Sequence, residues 1–116
     1  MRIGIQGTRS FSDYSIFLRA MGTAMSSMAE GDKEFYIYAA GTAQINSFAM
    51  EFSNVSERSL KARGIKIRLF KVPPSWIRDN IHDIDYLAYF SKPKEPVSEL
   101  VDIAEAKDIS VGIYRY

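Results

Sequence analysis

Short runs of β-branched and aromatic residues alternate along the chain with longer stretches whose apolar positions recur every three or four residues. That alternation predicts an α/β architecture around a mostly parallel sheet. Residues Arg2 to Gln6 (RIGIQ) read as a first strand. Tyr14, Phe17, Leu18, Met21, Met25 and Met28 then fall at helical spacing, with Ser12 or Asp13 as N-cap and Gly31-Asp32 as the stop. Glu34 to Ala39 (EFYIYA) predicts a buried second strand. From about Gln44, the residues Ile45, Phe48, Ala49, Phe52, Val55 and Leu60 mark a second amphipathic helix. It closes at Gly64, with Lys61 and Arg63 in its last turn.

Ile65 to Phe70 is the third strand. Pro73-Pro74 interrupts regular structure, so Ser75 to Asn80 makes at most a short helix or turn. Asp85 to Phe90 (DYLAYF) reads as the fourth strand and Ser91 to Pro96 as a loop. Val97, Leu100, Val101 and Ala104 form the inner face of a last helix, and Ser110 to Tyr114 is a fifth strand. Right-handed crossovers then place helices on both faces. The expected fold is a three-layer, Rossmann-like α/β domain over residues 1–116, its five parallel strands in the order 3-2-1-4-5. No internal repeat or linker interrupts it.

In such a sheet the strand order reverses between strands one and four, and ligands sit outside the carboxyl ends of the strands at that point. That rule singles out four loops: Gly7 to Ser12, Ala40 to Ala43, Lys71 to Asn80 and Ser91 to Pro96. Gly7-Thr8-Arg9-Ser10 joins a glycine, which lets backbone approach a ligand, to hydroxyls and a guanidinium able to grip an anion. Equally, Gly7 makes the turn, Thr8 satisfies local backbone and Arg9 is a solvated cation. Ala40-Gly41-Thr42-Ala43 precedes a helix whose first N–H groups and positive dipole end can hold a phosphate. Close packing with Thr42 as cap accounts for the same residues, and Asn46 lies one turn further in. Arg78 and Asn80, with Trp76 nearby, either aim into the same crevice or form a surface turn. Lys92 and Lys94 flank Pro93 in a wet loop.

Composition narrows the chemistry. The 116 residues are 47% apolar and 13% aromatic, enough to build a core rather than a disordered chain. There is no cysteine, so disulfides, thiolate-held metals and thiol nucleophiles are out. The single histidine, His82, cannot make a His-rich metal site. No metal and no resident cofactor is expected. Fifteen basic against fourteen acidic residues leave a net charge of +1, which disfavours nucleic acid as a partner. No apolar run reaches the roughly 20 residues of a membrane span, and the first residues lack a signal peptide's apolar core, so the cytoplasm is the expected compartment.

Catalytic sets are sparse. The chain has no P-loop, no GxGxxG and no Ser-His-Asp spacing. Glu95, Glu99, Asp83 and Asp85 are the carboxylates nearest the predicted ligand edge. Of these, Asp83 and Asp85 belong to the far end of the fourth strand, where His82 is a turn residue. Met21, Met25 and Met28 form a core stripe or an oligomer face.

Taken together, GTRSFSDY (7–14) after the first strand, AAGTAQIN (39–46) after the second, Arg78-Asp79-Asn80 after the proline loop and DYLAYF (85–90) resemble the SLOG superfamily. This Rossmann-like group contains the LOG phosphoribohydrolases, the DprA DNA-processing proteins and small stand-alone bacterial or phage members. The chain is most similar to the last of these, over nearly its whole length. The resemblance implies a G-S/T-R loop on nucleotide phosphate at Gly7, Thr8 and Arg9. A second family loop, G-G-A-R-G-A-D, is represented by Gly41 and Asn46, with Ala40, Ala43 and Gln44 in place of two glycines and an arginine. Enzymatic members supply a catalytic glutamate from G-T-x-x-E. The corresponding stretch here, 91–99 (SKPKEPVSE), has no glycine and offers Glu99 as the catalytic candidate.

The expected function is binding of a nucleotide or nucleotide-derived ligand through Gly7, Thr8, Arg9, Ser10, Gly41, Thr42, Ala43, Asn46 and Arg78. Alternatives from the same resemblance are hydrolysis of the N-glycosidic bond of a nucleoside monophosphate and DprA-like binding of single-stranded DNA. A homodimer or higher homo-oligomer is the expected assembly.

Overall fold

A computed structural model describes residues 1–94 and 98–116. Five parallel strands, β1 (Arg2–Gly7), β2 (Glu34–Ala39), β3 (Lys66–Lys71), β4 (Tyr86–Ser91) and β5 (Ser110–Arg115), form one sheet in the order β3-β2-β1-β4-β5. Its helices are α1 (Tyr14–Ser26), α2 (Ala43–Ala62), the short α3 (Pro74–Asp79) and α4 (Glu99–Ala106). The expected order and three-layer, Rossmann-like arrangement are both present.

Strand alternation assigns the two faces. Ile3 lies beside Ile37 and Tyr86, and Ile5 beside Ala39 and Ala88, so one face of the central strands is uniformly apolar. It packs on Phe17, Ala20, Met21 and Ala24 of α1 and on Ile45, Phe48, Ala49 and Phe52 of α2. The other face places Leu87 and Tyr89 against Ile77, Leu100, Val101 and Ala104. On that face α3 has only six residues: Pro74 opens it at the first helical position and Asn80 ends it. Asn80 Nδ2 donates to the Trp76 carbonyl at 2.9 Å, closing the helix on itself.

Local signals explain the helix ends. Asp13 caps α1: its Oδ1 accepts from the Ser15 hydroxyl (2.6 Å) and from the amides of Ser15 and Ile16. These bonds, the Ser15 hydroxyl first, hold its carboxyl below the usual range. The cap is therefore fully engaged above the ordinary carboxylate pKa and is lost as the pH falls through the lowered one. α2 ends in a Schellman turn, with Gly64 at φ 76° donating to Lys61 O and Ile65 donating to Leu60 O. α4 closes the same way, but on Asp108 at φ 58°.

Several expectations need correction. Leu18 and Val55 are 42% and 72% exposed rather than facing the core. The inner stripe of α1 runs through Phe17, Ala20, Met21 and Ala24, and Leu18 lies about 100° off it. Helix α1 stops at Ser26, so Met28 lies beyond it. The second strand is not buried on both sides: Tyr36 and Tyr38 are half-buried, since α3 is too short to cover β2 and β3. β3 and β4 each sit one residue later than expected, and Asp85 instead accepts from the Arg2 amide at 2.7 Å through its side chain. Glu95, Pro96 and Val97, read as loop and helix, lie outside the described residues.

At the β5 edge, Tyr86 and Tyr114 join hydroxyls at 2.7 Å over Gly112, where a Cβ would collide with both side chains. Burial, then the bond to Tyr114, raises the Tyr86 pKa well above that of a free phenol.

Candidate functional site

The first corner begins where β1 leaves the sheet. Gly7 pairs with Phe90, and a Cβ there would stand 2.8 Å from the Phe90 carbonyl oxygen and 2.9 Å from its Cβ, so only glycine fits. The next residues fold into a turn closed by Phe11 N–H donating to Thr8 O at 3.2 Å. Phe11 is fully buried and stacks on Phe90 with ring centroids 4.3 Å apart, which anchors the turn from below. The hydroxyls of Thr8 and Ser10 both meet the hydroxyl of Tyr116. Arg9, between them, is exposed, and its guanidinium has no partner among the described residues.

The second corner follows β2. Ala40 is buried and still donates to Ile5 O at 2.9 Å, continuing the ladder. Thr42 then caps α2, its Oγ1 accepting from Ile45 N–H at 3.2 Å. That leaves the earlier amides of Ala43 and Gln44 at the open end of a 20-residue helix, where the dipole favours an anion.

These corners touch. A Cβ on Gly41 would lie 3.9 Å from the Gly7 nitrogen, and Ile45 Cδ1 lies within 3.5 Å of the Cβ positions of both glycines. Between them is a cleft of about 690 Å³. Gly7, Arg9, Gly41, Thr42, Ala43 and Gln44 line it, with Gln6 and Pro74 on the side of α3. A second hollow of about 280 Å³ shares Gln6 and Pro74 and continues past Ser75 and Arg78 to Ser98 and Leu100. The larger volume lies within the range of small-molecule sites.

Of the residues expected in the site, Gly7, Arg9, Gly41, Thr42 and Ala43 thus share one cleft, and Arg78 lines its extension. Arg78 Nη2 donates to Glu99 Oε2 at 3.4 Å; the two side chains are 53% and 76% exposed, so the pair is weak and Arg78 can change partner. Thr8 and Ser10 turn their hydroxyls to Tyr116 rather than to the cleft. Asn46 does not line it either, and its Oδ1 is buried without a hydrogen-bond partner among the described residues. Glu99 lines neither hollow. Trp76 stacks on Tyr38 at 4.6 Å, which commits one face of the indole to the sheet. His82 pairs with Asp83 at 3.7 Å, beside the entry to β4 and away from this rim.

Sequence reasoning missed Gln6, Gln44, Pro74 and Tyr116. The alternation in RIGIQ does carry a signal for Gln6, since it falls on the face opposite Ile3 and Ile5. Nothing local marks Tyr116, whose hydroxyl meets partners more than 100 residues away.

Arg9 is the cation that lines the cleft; Lys71, Lys92, Lys94 and Arg115 lie elsewhere along the same carboxyl end of the sheet. Other hollows lie at the opposite end of the sheet, where Lys33 and Arg63 share their walls with Glu30 and Asp32. Among the described residues, no group of three His, Cys, Asp or Glu is arranged to hold a metal ion, and no helix is long and apolar enough to cross a membrane. Comparison with protein-family models, curated proteins and solved structures returns no match.

Proposed function

We propose that the domain binds a nucleotide or nucleotide-derived molecule, with a phosphate between Arg9 and the first amides of α2. The observation that carries this reading is the meeting, in one cleft, of a guanidinium without a partner among the described residues and the open amino end of a long helix. The hollow toward Arg78 accommodates the rest of the ligand, and Arg78 is free to exchange Glu99 for a second anionic group. The resemblance of the Gly7–Arg9 loop to the SLOG phosphate loop points the same way. The hydrolytic alternative needs a carboxylate in the cleft, and its candidate, Glu99, is 76% exposed and turned to Arg78.

Isothermal titration with mono-, di- and cyclic nucleotides and ADP-ribose tests the proposal. Wild-type protein is expected to bind at least one of them, and Arg9→Ala to weaken that binding at least tenfold. Silence from both proteins across the panel refutes it. The same reading carries a cytoplasmic homo-oligomer, for which exposed Leu18, Met50 and Val55 on α1 and α2 supply apolar surface. Light scattering coupled to gel filtration measures the assembly directly, and a monomer at working concentrations removes that part.

A further inference from the structure

The Arg9 turn, closed locally by Phe11 and Thr8, is secured in addition by the residue that follows β5. The ring of Tyr116 packs on Phe11, with centroids 5.1 Å apart, and its amide donates to Ser91 O at 3.3 Å. Its hydroxyl contacts Thr8 Oγ1 and lies 2.7 Å from Ser10 Oγ. A phenol has one proton to donate and lone pairs to accept with, so a single oxygen can bond both hydroxyls at once. The two side chains it joins are those immediately before and after Arg9.

We infer that Tyr116 is the positioning residue of the anion-binding corner. It rests on the reading of Arg9 as the ligand's cation. With Gly7 wedged under Phe90, Phe11 buried and both flanking hydroxyls tethered, the backbone at Arg9 keeps one course. Only the arginine's own side-chain torsions remain to be ordered when an anion arrives. Holding a loop in its bound form ahead of binding lowers the ordering cost that would otherwise reduce affinity. Arg115, the preceding residue, acts alongside: its Nη1 donates to Ser91 Oγ at 2.6 Å and to Lys92 O at 2.8 Å. The end of β5 therefore ties down the loops that follow both β1 and β4, the two strands flanking the reversal point.

Tyr116→Phe tests this, because it keeps the ring on Phe11 and removes only the hydroxyl. Inorganic pyrophosphate is the probe, titrated into wild type, Tyr116→Phe, Arg9→Ala and the double variant. Tyr116→Phe is expected to weaken binding about fivefold, the size of one neutral hydrogen bond. If the hydroxyl acts through Arg9, Arg9→Ala costs several-fold less affinity in the Tyr116→Phe background than in wild type. A general loss of stability would leave the two effects multiplying independently, and that outcome overturns the inference. Ser10→Ala, which removes one tether from the loop side, is expected to reproduce part of the loss should Tyr116→Phe fold poorly; unaltered binding in that variant counts against the tether.

Failure of the underlying site reading looks different. If wild-type protein takes up neither pyrophosphate nor any nucleotide, the anion site is wrong, and the tether is judged by backbone ¹⁵N relaxation alone. Order parameters of Thr8, Arg9 and Ser10 that fall on loss of the Tyr116 hydroxyl support it; unchanged ones overturn it.

Discussion

The two faces of the sheet carry helices of very different size. On one side α1 and α2 supply 13 and 20 residues, and on the other α3 and α4 supply 6 and 8. The heavier face holds a continuous aromatic cluster in which Phe11, Phe17, Phe48 and Phe90 meet stacked, tilted or edge to face. The lighter face leaves Tyr36, Tyr38 and Phe70 half-buried. The cleft lies where the two meet at the carboxyl rim. Its backbone corners are built on the heavy face, through Phe11, Phe90 and Ile45, and its open wall comes from the light face, through Gln6 and Pro74. Rigidity and access are supplied from opposite sides of one sheet, so a cleft forms without loosening the loops that line it.

Substitutions on each face can break that contrast. The largest effect is expected from Phe11→Ala, which empties a fully buried site in the aromatic cluster and costs about 3–5 kcal/mol in urea unfolding. Trp76→Ala on the light face removes a half-buried ring stacked on Tyr38 and should cost about 1–2 kcal/mol, less than full burial would give. Equal or inverted costs for these two would remove the basis of the comparison. Thr42→Ala deletes the α2 cap, with an expected loss of about 1 kcal/mol. Its thermal shift should be independent of Trp76→Ala, the two lying on different faces. Asp108→Gly sharpens the picture at the light side: it relieves a left-handed residue at the end of α4 and should raise stability by about 0.5–1 kcal/mol.

Element types, strand order and the existence of the two glycine corners follow from local pattern. RIGIQ, EFYIYA and DYLAYF alternate or run apolar as strands must, and Gly64 and Pro73-Pro74 mark real boundaries. Which side of a helix faces inward was harder to read. Leu18 and Val55 are apolar yet exposed, while Ala20 and Ala24, small enough to let α1 approach the sheet, are buried. The uncovered half of β2 was hidden because no residue in EFYIYA states how long a helix further along the chain will be. At the site, Gly7, Arg9 and the Gly41–Ala43 corner were visible from residue type and position. Tyr116 was not, because its role comes from contacts over long sequence separations, while Gln6 and Pro74 are marked only by the alternation of RIGIQ and by the 71–80 loop, which give a face and a segment but not the cleft they line. Thr8 and Ser10 have a similar explanation: their hydroxyls looked available until a phenol from β5's end claimed both.

The most direct test follows the backbone amides of ¹⁵N-labelled protein during titration with adenosine 5′-monophosphate. The account predicts that resonances of Gly7 to Ser10 and of Thr42 to Gln44 move together along one saturation curve in wild type, and that the curve shifts to at least tenfold higher ligand concentration in Arg9→Ala. Shifts confined to a single corner, or centred on Lys33 and Arg63 at the opposite end of the sheet, would contradict it.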